Sequence, residues 1–390
     1  MRKIGLFLGV TPHMGGAFQY SQTMLKAVTD LPKDKFDIII YYTDDIWSKY
    51  IPPSIEKRLV NKHLVKYSYF LGATITLFCF PIILWRFLSI FIDPLSRKLK
   101  KENCDLWIFS SLSFSCYQMP VSAVGVIHDL MHRYEKFPEN SSWLIYFWRE
   151  RCFKRMTKWC KAIFVESETG KNQIVKVYKT DPLKILVFQL IPPNYIHSKS
   201  VPEDFDAVMD LPEKYLFYPA QFWEHKNHKR LIDAIYEVKK QCTDIKLVLV
   251  GSKKNAYDMI TEQVQKLNLN DNIIFQGYVL DEYMPELYRR ARAMIFPTFF
   301  GPTNIPPLEA MATECPMAIS NIYAMPEQCK NTALYFDPKS VKDIAKCIEQ
   351  LWVDDELCME LKKQSSILKG KYSQLILNKV LSDNLSIVLK

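Results

Sequence analysis

The chain has 390 residues, 48% of them hydrophobic, with only 11 glycines and 22 prolines. This length and composition supply two cores of ordinary size and exclude a fibrous or low-complexity protein. The net charge is +9, from 51 basic and 42 acidic residues. No pattern of a known nucleic-acid-binding module accompanies that charge, so we expect no nucleic-acid partner.

The ten cysteines predict reduced, buried thiols rather than a redox or metal site. No two of them have C-x-x-C spacing, and most lie inside apolar runs, which is typical of a cytoplasmic protein. The first apolar run, residues 4–10, is too short for a secretory signal and is followed by Thr11-Pro12. It predicts a buried parallel strand instead.

Apolar runs alternate with helical or polar segments along the chain, which predicts an α/β fold with two doubly wound parallel sheets. In the first half the runs are residues 4–10, 36–42, 106–109, 123–127, 162–165 and 185–188. After a polar linker near 192–212 the pattern resumes at residues 215–218, 245–250, 273–276, 293–296 and 317–320. This indicates two Rossmann-like domains, residues 1–198 and 199–372.

Residues 67–92 contain the longest uncharged apolar stretch, which runs from Ser68 through Trp85. It nearly reaches the length of a membrane-spanning helix, but Pro81 lies inside it and Gly72 dilutes its first part. A strand or loop followed by a helix from about Pro81 fits the pattern equally well. Such a segment either presents an apolar surface to a membrane or belongs to the core.

A basic run from Arg149 to Lys161 is interleaved with Phe153 and Trp159. A basic, aromatic helix suits an anionic membrane surface, and it suits a solvated helix face equally well. Both interpretations stay open.

The residues from Phe296 to Ala312 combine a strand end, a loop rich in Gly, Pro and Asn, and a helix with a carboxylate in its first turn. Backbone N–H groups at a helix start suit a diphosphate, and a carboxylate accepts hydrogen bonds from sugar hydroxyls. The candidate donor-binding residues are Gly301, Thr303, Asn304, Ile305 and Glu309.

This stretch resembles the C-terminal motif of retaining GT-B glycosyltransferases of family 4, the glycosyl transferases group 1 type. It departs from the family at Gly301, where a first Glu usually stands eight residues before the second. We therefore expect Thr303 or Asn304 to contact the sugar hydroxyls instead, or the transferred sugar to present fewer of them.

Residues 218–229 resemble the donor-phosphate loop of the same family. The resemblance makes Lys226 the cation that offsets charge on the departing nucleoside diphosphate. Gln221 occupies the position where an Arg is common, and it carries no charge, so His225 is a candidate substitute. A plain solvated loop remains the alternative.

Two further strand ends in the second half carry backbone groups placed to recognise a base. They are Gly251 and the run Gly277, Tyr278 and Val279. Each glycine could equally be a packing requirement.

Two motifs stand in the first half. Gly15-Gly16 follows the first strand and resembles the Gly-rich turn that faces the donor in the family. His128-Asp129 follows residues 124–127 and resembles the family's His-Asp motif. We expect His128 to contact the donor or acceptor and Asp129 to fix the imidazole tautomer.

The resemblance implies a GT-B fold, with two Rossmann-like domains, a cleft between them, and a last helix, residues 373–390, that packs back on the first domain. It implies retaining transfer of a hexose or deoxyhexose from a nucleoside diphosphate sugar to a hydroxyl acceptor. It assigns catalytic roles to His128, Lys226 and Glu309, and requires neither a metal nor a further cofactor.

The apolar and basic segments favour a lipid-linked saccharide acceptor, as in O-antigen or capsule assembly, and peripheral contact with the cytoplasmic membrane face. Two alternatives remain. The acceptor is soluble, or the chain is a catalytically silent, partner-binding GT-B-like subunit. The departures from the family pattern at Gly301 and Gln221 favour the silent subunit.

Overall fold

The computed structural model describes residues 1–301 and 303–389. Unit 1 is Met1–Leu190 together with Gln374–Lys390, and unit 2 is Ile191–Ser373. The chain thus enters unit 2 earlier than the predicted boundary at 198/199, and the polar segment 192–212 belongs to unit 2. Pro302 in the predicted loop and Lys390 at the end of the predicted last helix lie outside the described residues.

Each unit contains one parallel sheet. Unit 1 has seven strands in the order β3-β2-β1-β4-β5-β6-β7, and unit 2 has six in the order β10-β9-β8-β11-β12-β13. The strands are β1 (Arg2–Leu8), β2 (Phe36–Tyr42), β3 (Glu56–Leu59), β4 (Leu106–Phe109), β5 (Ala123–Val126), β6 (Ala162–Val165), β7 (Ile185–Val187), β8 (Leu216–Pro219), β9 (Leu247–Val250), β10 (Ile273–Gly277), β11 (Ala293–Phe296), β12 (Met317–Ser320) and β13 (Ala333–Phe336).

Helices connect the strands and bury their own apolar faces. They are α1 (Gly16–Thr29), α2 (Lys62–Leu77), α3 (Ile82–Ile92), α4 (Pro94–Lys101), α5 (Ser115–Gln118), α6 (Met131–Tyr134), α7 (Trp143–Trp159), α8 (Glu168–Tyr178), α9 (Phe205–Met209), α10 (His228–Lys239), α11 (Tyr257–Lys266), α12 (Met284–Arg290), α13 (Ile305–Ala312), α14 (Met325–Cys329), α15 (Val341–Val353), α16 (Asp355–Leu368) and α17 (Gln374–Val388). The central strands are continuous apolar runs because helices cover parallel sheets on both faces.

Sequence patterning missed the edge strands β3 and β13. β3 pairs with β2 at one side of the unit 1 sheet, and all four of its residues are exposed. Its sequence Glu-Lys-Arg-Leu carries the charges that blunt a free strand edge, so it shows no apolar signal. β13 pairs with β12 at the edge of the unit 2 sheet, and only its first and last residues are buried.

The apolar segment 67–92 forms two helices, so the expectation of a strand or loop before Pro81 is wrong. Gly72 fits inside α2 because a Cβ there would lie 2.9 Å from Gln118 and 3.0 Å from Phe114. Thr74 and Thr76 donate their hydroxyls to carbonyls one turn earlier, so both are accommodated inside the helix with their hydroxyls satisfied. In the described part of the chain, no helix combines the length and apolar character needed to cross a membrane.

The basic run at 149–161 lies largely on α7, and it is not a uniform solvated stripe. Arg155 donates to the carbonyls of Ile75 and Phe80 and so caps the end of α2. Lys154 and Lys158 are exposed. Part of the run therefore holds unit 1 together, and part remains at its surface.

The last helix, α17, packs on α1 in unit 1. Its buried face carries Leu377, Leu381 and Leu385. Asn378 Nδ2 donates to Asp30 at 2.9 Å, and Asn384 Nδ2 donates to the carbonyl of Val187 at 3.2 Å. The final helix is therefore part of the core of unit 1.

Replacing Leu381 by Ala should destabilise unit 1 by about 2–5 kcal/mol, because a buried leucine leaves a cavity when it is truncated. Calorimetric unfolding of the full chain measures the effect. Leu375→Ala on the same helix is the matched control, since Leu375 is 80% exposed. Equal unfolding temperatures for the two variants would contradict the packing of α17.

Candidate functional site

The candidate donor residues of unit 2 follow adjacent strands at the carboxyl edge of its sheet. Gly251 N donates to the carbonyl of Gly277 at 2.7 Å, which joins the ends of β9 and β10. Phe299 N donates to the carbonyl of His225 at 2.8 Å, which joins the loops after β8 and β11. The structure thus gathers the predicted segments along one edge, where open α/β sheets bind ligands.

Gly251 is required by close packing. A Cβ at this position would lie 2.2 Å from the carbonyl oxygen of Ala220 and 2.8 Å from the backbone nitrogen of Gln221. The loop after β8 therefore rests directly on the backbone of residue 251. By contrast, Gly277 has no described atom within 4 Å of its Cβ position, and its φ of 71° is what favours glycine.

The remaining predicted residues of this edge differ in exposure. Gln221 Oε1 accepts a hydrogen bond from the Trp223 indole at 2.9 Å. Tyr278 is exposed, whereas Val279 is buried. Ile305 is the first residue of α13.

Lys226 is a cation without a counter-charge. Its ammonium lies 5.5 Å from the centre of the Phe296 ring, and none of the described carboxylates pairs with it. Burial lowers the pKa of Lys226 to about 8. An amine in such a setting gains charged character when an anion approaches it.

His225 does not supply the charge that Gln221 lacks, so that expectation is wrong. Burial, followed by the neighbouring Lys226 charge, lowers the pKa of His225 to about 3. Its imidazole is therefore neutral at neutral pH. Its ring packs 4.4 Å from Phe300, centre to centre.

Arg230, one turn into α10, is a cation that sequence reasoning missed. It donates to Asn227 Oδ1 at 3.2 Å, and its guanidinium lies 5.4 Å from the centre of the Phe299 ring. No sequence motif indicated it, and helical spacing from Lys226 could not, because Lys226 lies in a 3-10 turn that Asn227 separates from α10.

Gly301 cannot be exchanged for the family's glutamate without moving the loop. Its φ is 91°, and a Cβ would lie 2.7 Å from the carbonyl oxygen of Thr303 and 2.8 Å from Asn304 Nδ2. The Asn304 side chain thus occupies the space beside Gly301, where it donates to the carbonyl of Phe300 at 3.1 Å. The departure from the family is built into the loop backbone.

Gln328 on α14 holds the residue that precedes α13. Its Oε1 accepts from Asn304 N at 3.1 Å, and its Nε2 donates to the Asn304 carbonyl at 2.7 Å. Both Gln328 and Asn304 are buried. The start of α13 is therefore fixed by a side chain that no motif indicated.

Glu309 lies in the second turn of α13, so the expectation of a carboxylate in the first turn is wrong. It is buried between two tyrosine hydroxyls. Tyr195 donates to Oε1, and Tyr288 donates to Oε2 at 2.7 Å. Burial raises the pKa of Glu309, and the two hydroxyls oppose that rise only in part. Each carboxylate oxygen retains a further lone pair.

In unit 1, Gly15 takes a φ of 54°, which glycine adopts without strain, and Gly16 begins α1. His128 follows β5, and its Nδ1 lies 2.6 Å from Oε1 of Glu166. A carboxylate only accepts, so Nδ1 donates and Nε2 remains for another partner. Nε2 is buried and has no hydrogen-bond partner among the described residues.

Glu166, not Asp129, orients the imidazole, which corrects the expectation for Asp129. Asp129 Oδ1 instead accepts from Met131 N at 2.9 Å and from Arg149 at 2.7 Å. Burial lowers the pKa of His128, but the hydrogen bond and charge of Glu166 outweigh it and raise the pKa above its ordinary value.

The position of Glu166 directly after β6 is the feature that could have identified it as the partner of His128. β5 and β6 are paired so that Val126 lies opposite Phe164. Continuing that register by one alternation brings residue 128 opposite residue 166. Strand pairing was needed to see it, and the sequence does not show which strands are neighbours.

No group of three His, Cys, Asp or Glu side chains in residues 1–301 and 303–389 is arranged to hold a metal ion. All ten cysteines are free, and seven of them are buried.

The match to a known protein family lies in the second half of the chain. Residues 203–366 match the family described as Glycosyl transferases group 1. The chain is 31% identical over 229 residues to the O-antigen chain mannosyltransferase RfbU of Salmonella typhimurium, a match spanning 58% of this chain and 60% of that protein. It is 26% identical over 200 residues to O-antigen chain mannosyltransferase B of Escherichia coli, spanning 50% of this chain and 52% of that protein.

Solved structures are similar over almost the full length. A crystal structure of Anabaena Alr3699/HepE in complex with UDP and glucose has a TM-score of 0.74, 14% identity, and coverage of 99% of this chain and 100% of that one. WaaG, a glycosyltransferase involved in lipopolysaccharide biosynthesis, has a TM-score of 0.67, 13% identity, and coverage of 98% of each chain. The chain spans only 60% and 52% of the lengths of the two curated mannosyltransferase relatives. It has the GT-B fold, and its residues 203–366 match the family described as Glycosyl transferases group 1.

Proposed function

We propose that the protein transfers a hexose or deoxyhexose, with mannose as the first candidate, from a nucleoside diphosphate sugar to a hydroxyl of a saccharide acceptor in surface polysaccharide assembly. The family match of residues 203–366 supports glycosyl transfer. The names of two relatives, both O-antigen mannosyltransferases, support the sugar and the setting. Retention of configuration and independence of metal ions are parts of the proposal.

The observation that carries the proposal is Lys226. A partly buried ammonium with no described carboxylate partner is costly to maintain, and it becomes favourable when an anion occupies the site. It stands at the carboxyl edge of the sheet, on the loop joined to residues 297–299 by hydrogen bonds. A diphosphate has the charge that this position lacks.

The same residues suggest how the chemistry proceeds. As the bond between the sugar and the diphosphate breaks, negative charge grows on the leaving phosphate, and Lys226 and the positive end of α13 stabilise it. The departing phosphate assists the incoming hydroxyl on the same face of the sugar, which gives retention. Thr303 and Asn304 contact the sugar, and Glu309 accepts hydrogen bonds from donor hydroxyls through its remaining lone pairs.

In unit 1 we assign His128 to contact with the transferred sugar or the acceptor through Nε2. Glu166 keeps that nitrogen available by occupying Nδ1. Gly15 and Gly16 provide a close approach of backbone to the donor.

For the acceptor we propose a lipid-linked saccharide reached at the cytoplasmic membrane face. The apolar patch, defined as the exposed side chains of α2, α3 and the turn between them, supports this. It includes Phe70, Leu77, Phe78, Ile83, Phe87 and Phe91. α7, which packs against α2, adds exposed Trp143 and Leu144 together with the exposed Lys154 and Lys158. Apolar side chains near exposed lysines suit an anionic lipid surface.

A soluble acceptor and a silent subunit remain the competing functions. Gln221 and Gly301 motivate the silent subunit, since each removes a charged side chain from the family pattern. Arg230 weakens that argument, because it places a second cation near the loop after β11.

The proposed function is tested by measuring binding of UDP, GDP, ADP, dTDP and their sugars, followed by product detection with the preferred donor. Glu309→Gln should reduce turnover about ten- to hundredfold, because hydrogen bonds to a charged group contribute about 1.5–3 kcal/mol. Glu314→Gln is the control, since Glu314 pairs with Lys369 away from the tyrosines. Absence of binding by all the nucleotides would favour the silent subunit.

Diphosphate affinity should fall as the pH rises through about 8, since Lys226 has a pKa of about 8 and only its ammonium form attracts the diphosphate. The dissociation constant should rise up to about tenfold for each pH unit above that value. Titration calorimetry across this range measures it. Lys226→Arg, which stays charged, should show a flat profile, and Lys229→Arg, at an exposed position on α10, should behave as wild type.

Vesicles of phosphatidylcholine and phosphatidylglycerol should carry the protein to the top of a density gradient. Replacing Phe87 and Phe91, which are 62% and 64% exposed, by Ser should leave most of it at the bottom. The control is Met359→Ser with Ile367→Ser, two exposed positions on α16 in unit 2. If wild-type protein fails to float, the lipid-linked acceptor loses its structural support.

A further inference from the structure

Both places where the chain crosses between units carry a tyrosine linked to the candidate donor segment, one directly and one through Gln328. The chain enters unit 2 at Ile191 and leaves it after Ser373. Tyr195, in a 3-10 turn just after the entry, donates its hydroxyl to Glu309. Tyr372, next to the exit, donates its hydroxyl to the carbonyl of Gln328 at 2.6 Å.

The exit tyrosine reaches the donor segment through one intermediate residue. Gln328 binds both backbone groups of Asn304, the N-cap residue of α13. The entry tyrosine instead binds Glu309 on the body of α13 directly. The two crossings therefore hold α13 at two points, one at its start and one along its length.

The residues that these tyrosines hold are buried, and the tyrosines themselves are partly buried. Glu309, Gln328 and Asn304 are all buried. A buried polar group that loses its partner bears the full cost of desolvation, so these bonds break only when the segments move together. Tyr288 on α12 supplies the second hydroxyl to the carboxylate, and that hydroxyl contacts only Glu309 and the Pro306 carbonyl among the described residues. α12 also contacts the entry segment, through Arg289 and the carbonyl of Ser198.

We propose that Tyr195 and the Tyr372–Gln328 pair are positioning residues that couple donor binding on α13 to the two chain crossings. This inference rests on the proposed function, which places the donor against residues 301–309. A donor that contacts Asn304 and Glu309 favours the same arrangement of α13 that the tyrosines hold. Thermodynamic coupling is reciprocal, so donor binding must in turn suppress opening of the crossings.

Hydrogen–deuterium exchange of the full chain, with and without saturating GDP-mannose or UDP-glucose, tests the coupling. In the wild type, either nucleotide sugar that binds should slow exchange about fivefold or more in peptides covering 191–198 and 366–373, the range expected for a coupling of about 1 kcal/mol. Tyr195→Phe should lose protection of the first peptide and keep that of the second. Tyr372→Phe should do the reverse.

Tyr288→Phe is the matched control, because it removes a hydroxyl from the same carboxylate but leaves both crossings intact. It should retain protection of both peptides. The inference is overturned if ligand binding slows exchange of both peptides in Tyr195→Phe as it does in the wild type. It is also overturned if Tyr288→Phe abolishes protection of the peptide covering 191–198. If a ligand binds but protects neither crossing, the inference fails and the proposed function stands. If neither ligand binds, the inference and the proposed function both fail.

Discussion

Parallel strand pairing is the constraint on which both candidate sites depend. Because neighbouring strands run the same way in each sheet, the loops that leave their carboxyl ends meet along one edge. In unit 1 this brings His128 and Glu166 together from loops after different strands. In unit 2 it aligns the loops that contain Gln221, Gly251 and Gly301. No covalent or metal link is needed to assemble either set, since the register of the sheet does it.

Within unit 2, the two charged groups at that edge, Glu309 and Lys226, have opposite environments. Glu309 is enclosed and satisfied by tyrosine hydroxyls, so its position is determined before any ligand arrives. Lys226 is left against an aromatic ring with no described counter-charge. Preorganised polar groups lower the cost of reorganisation during a reaction, whereas an uncompensated cation provides affinity for an anion. Glu309 is therefore held in position to orient a ligand, whereas Lys226 is placed to neutralise the charge of an anion.

Local sequence patterns predicted the fold class, most interior strands and the segments that carry the candidate site. They did so because buried parallel strands are apolar runs and because Gly, Pro and Asn mark the loops between them. Patterning failed where tertiary contacts decide the outcome. The strand β3 is charged, and Gly72 lies within a helix at a point where Gln118 of α5 leaves no room for a side chain. The roles of Glu166 and Gln328 follow from which strands and helices are neighbours. Gly301 was noticed as a departure, but its positive φ and the adjacent Asn304 become visible only in three dimensions.

The return of the chain to unit 1 at Gln374 has a consequence for how the protein is made. During synthesis, unit 2 is made before α17, so the apolar surface of α1 stays uncovered until residues 374–388 have also been made. Contacts of such large sequence separation form slowly, because chain closure must precede any gain from packing. Unit 1 therefore cannot complete its core until all of unit 2 has been synthesised, although most of unit 1 is made first.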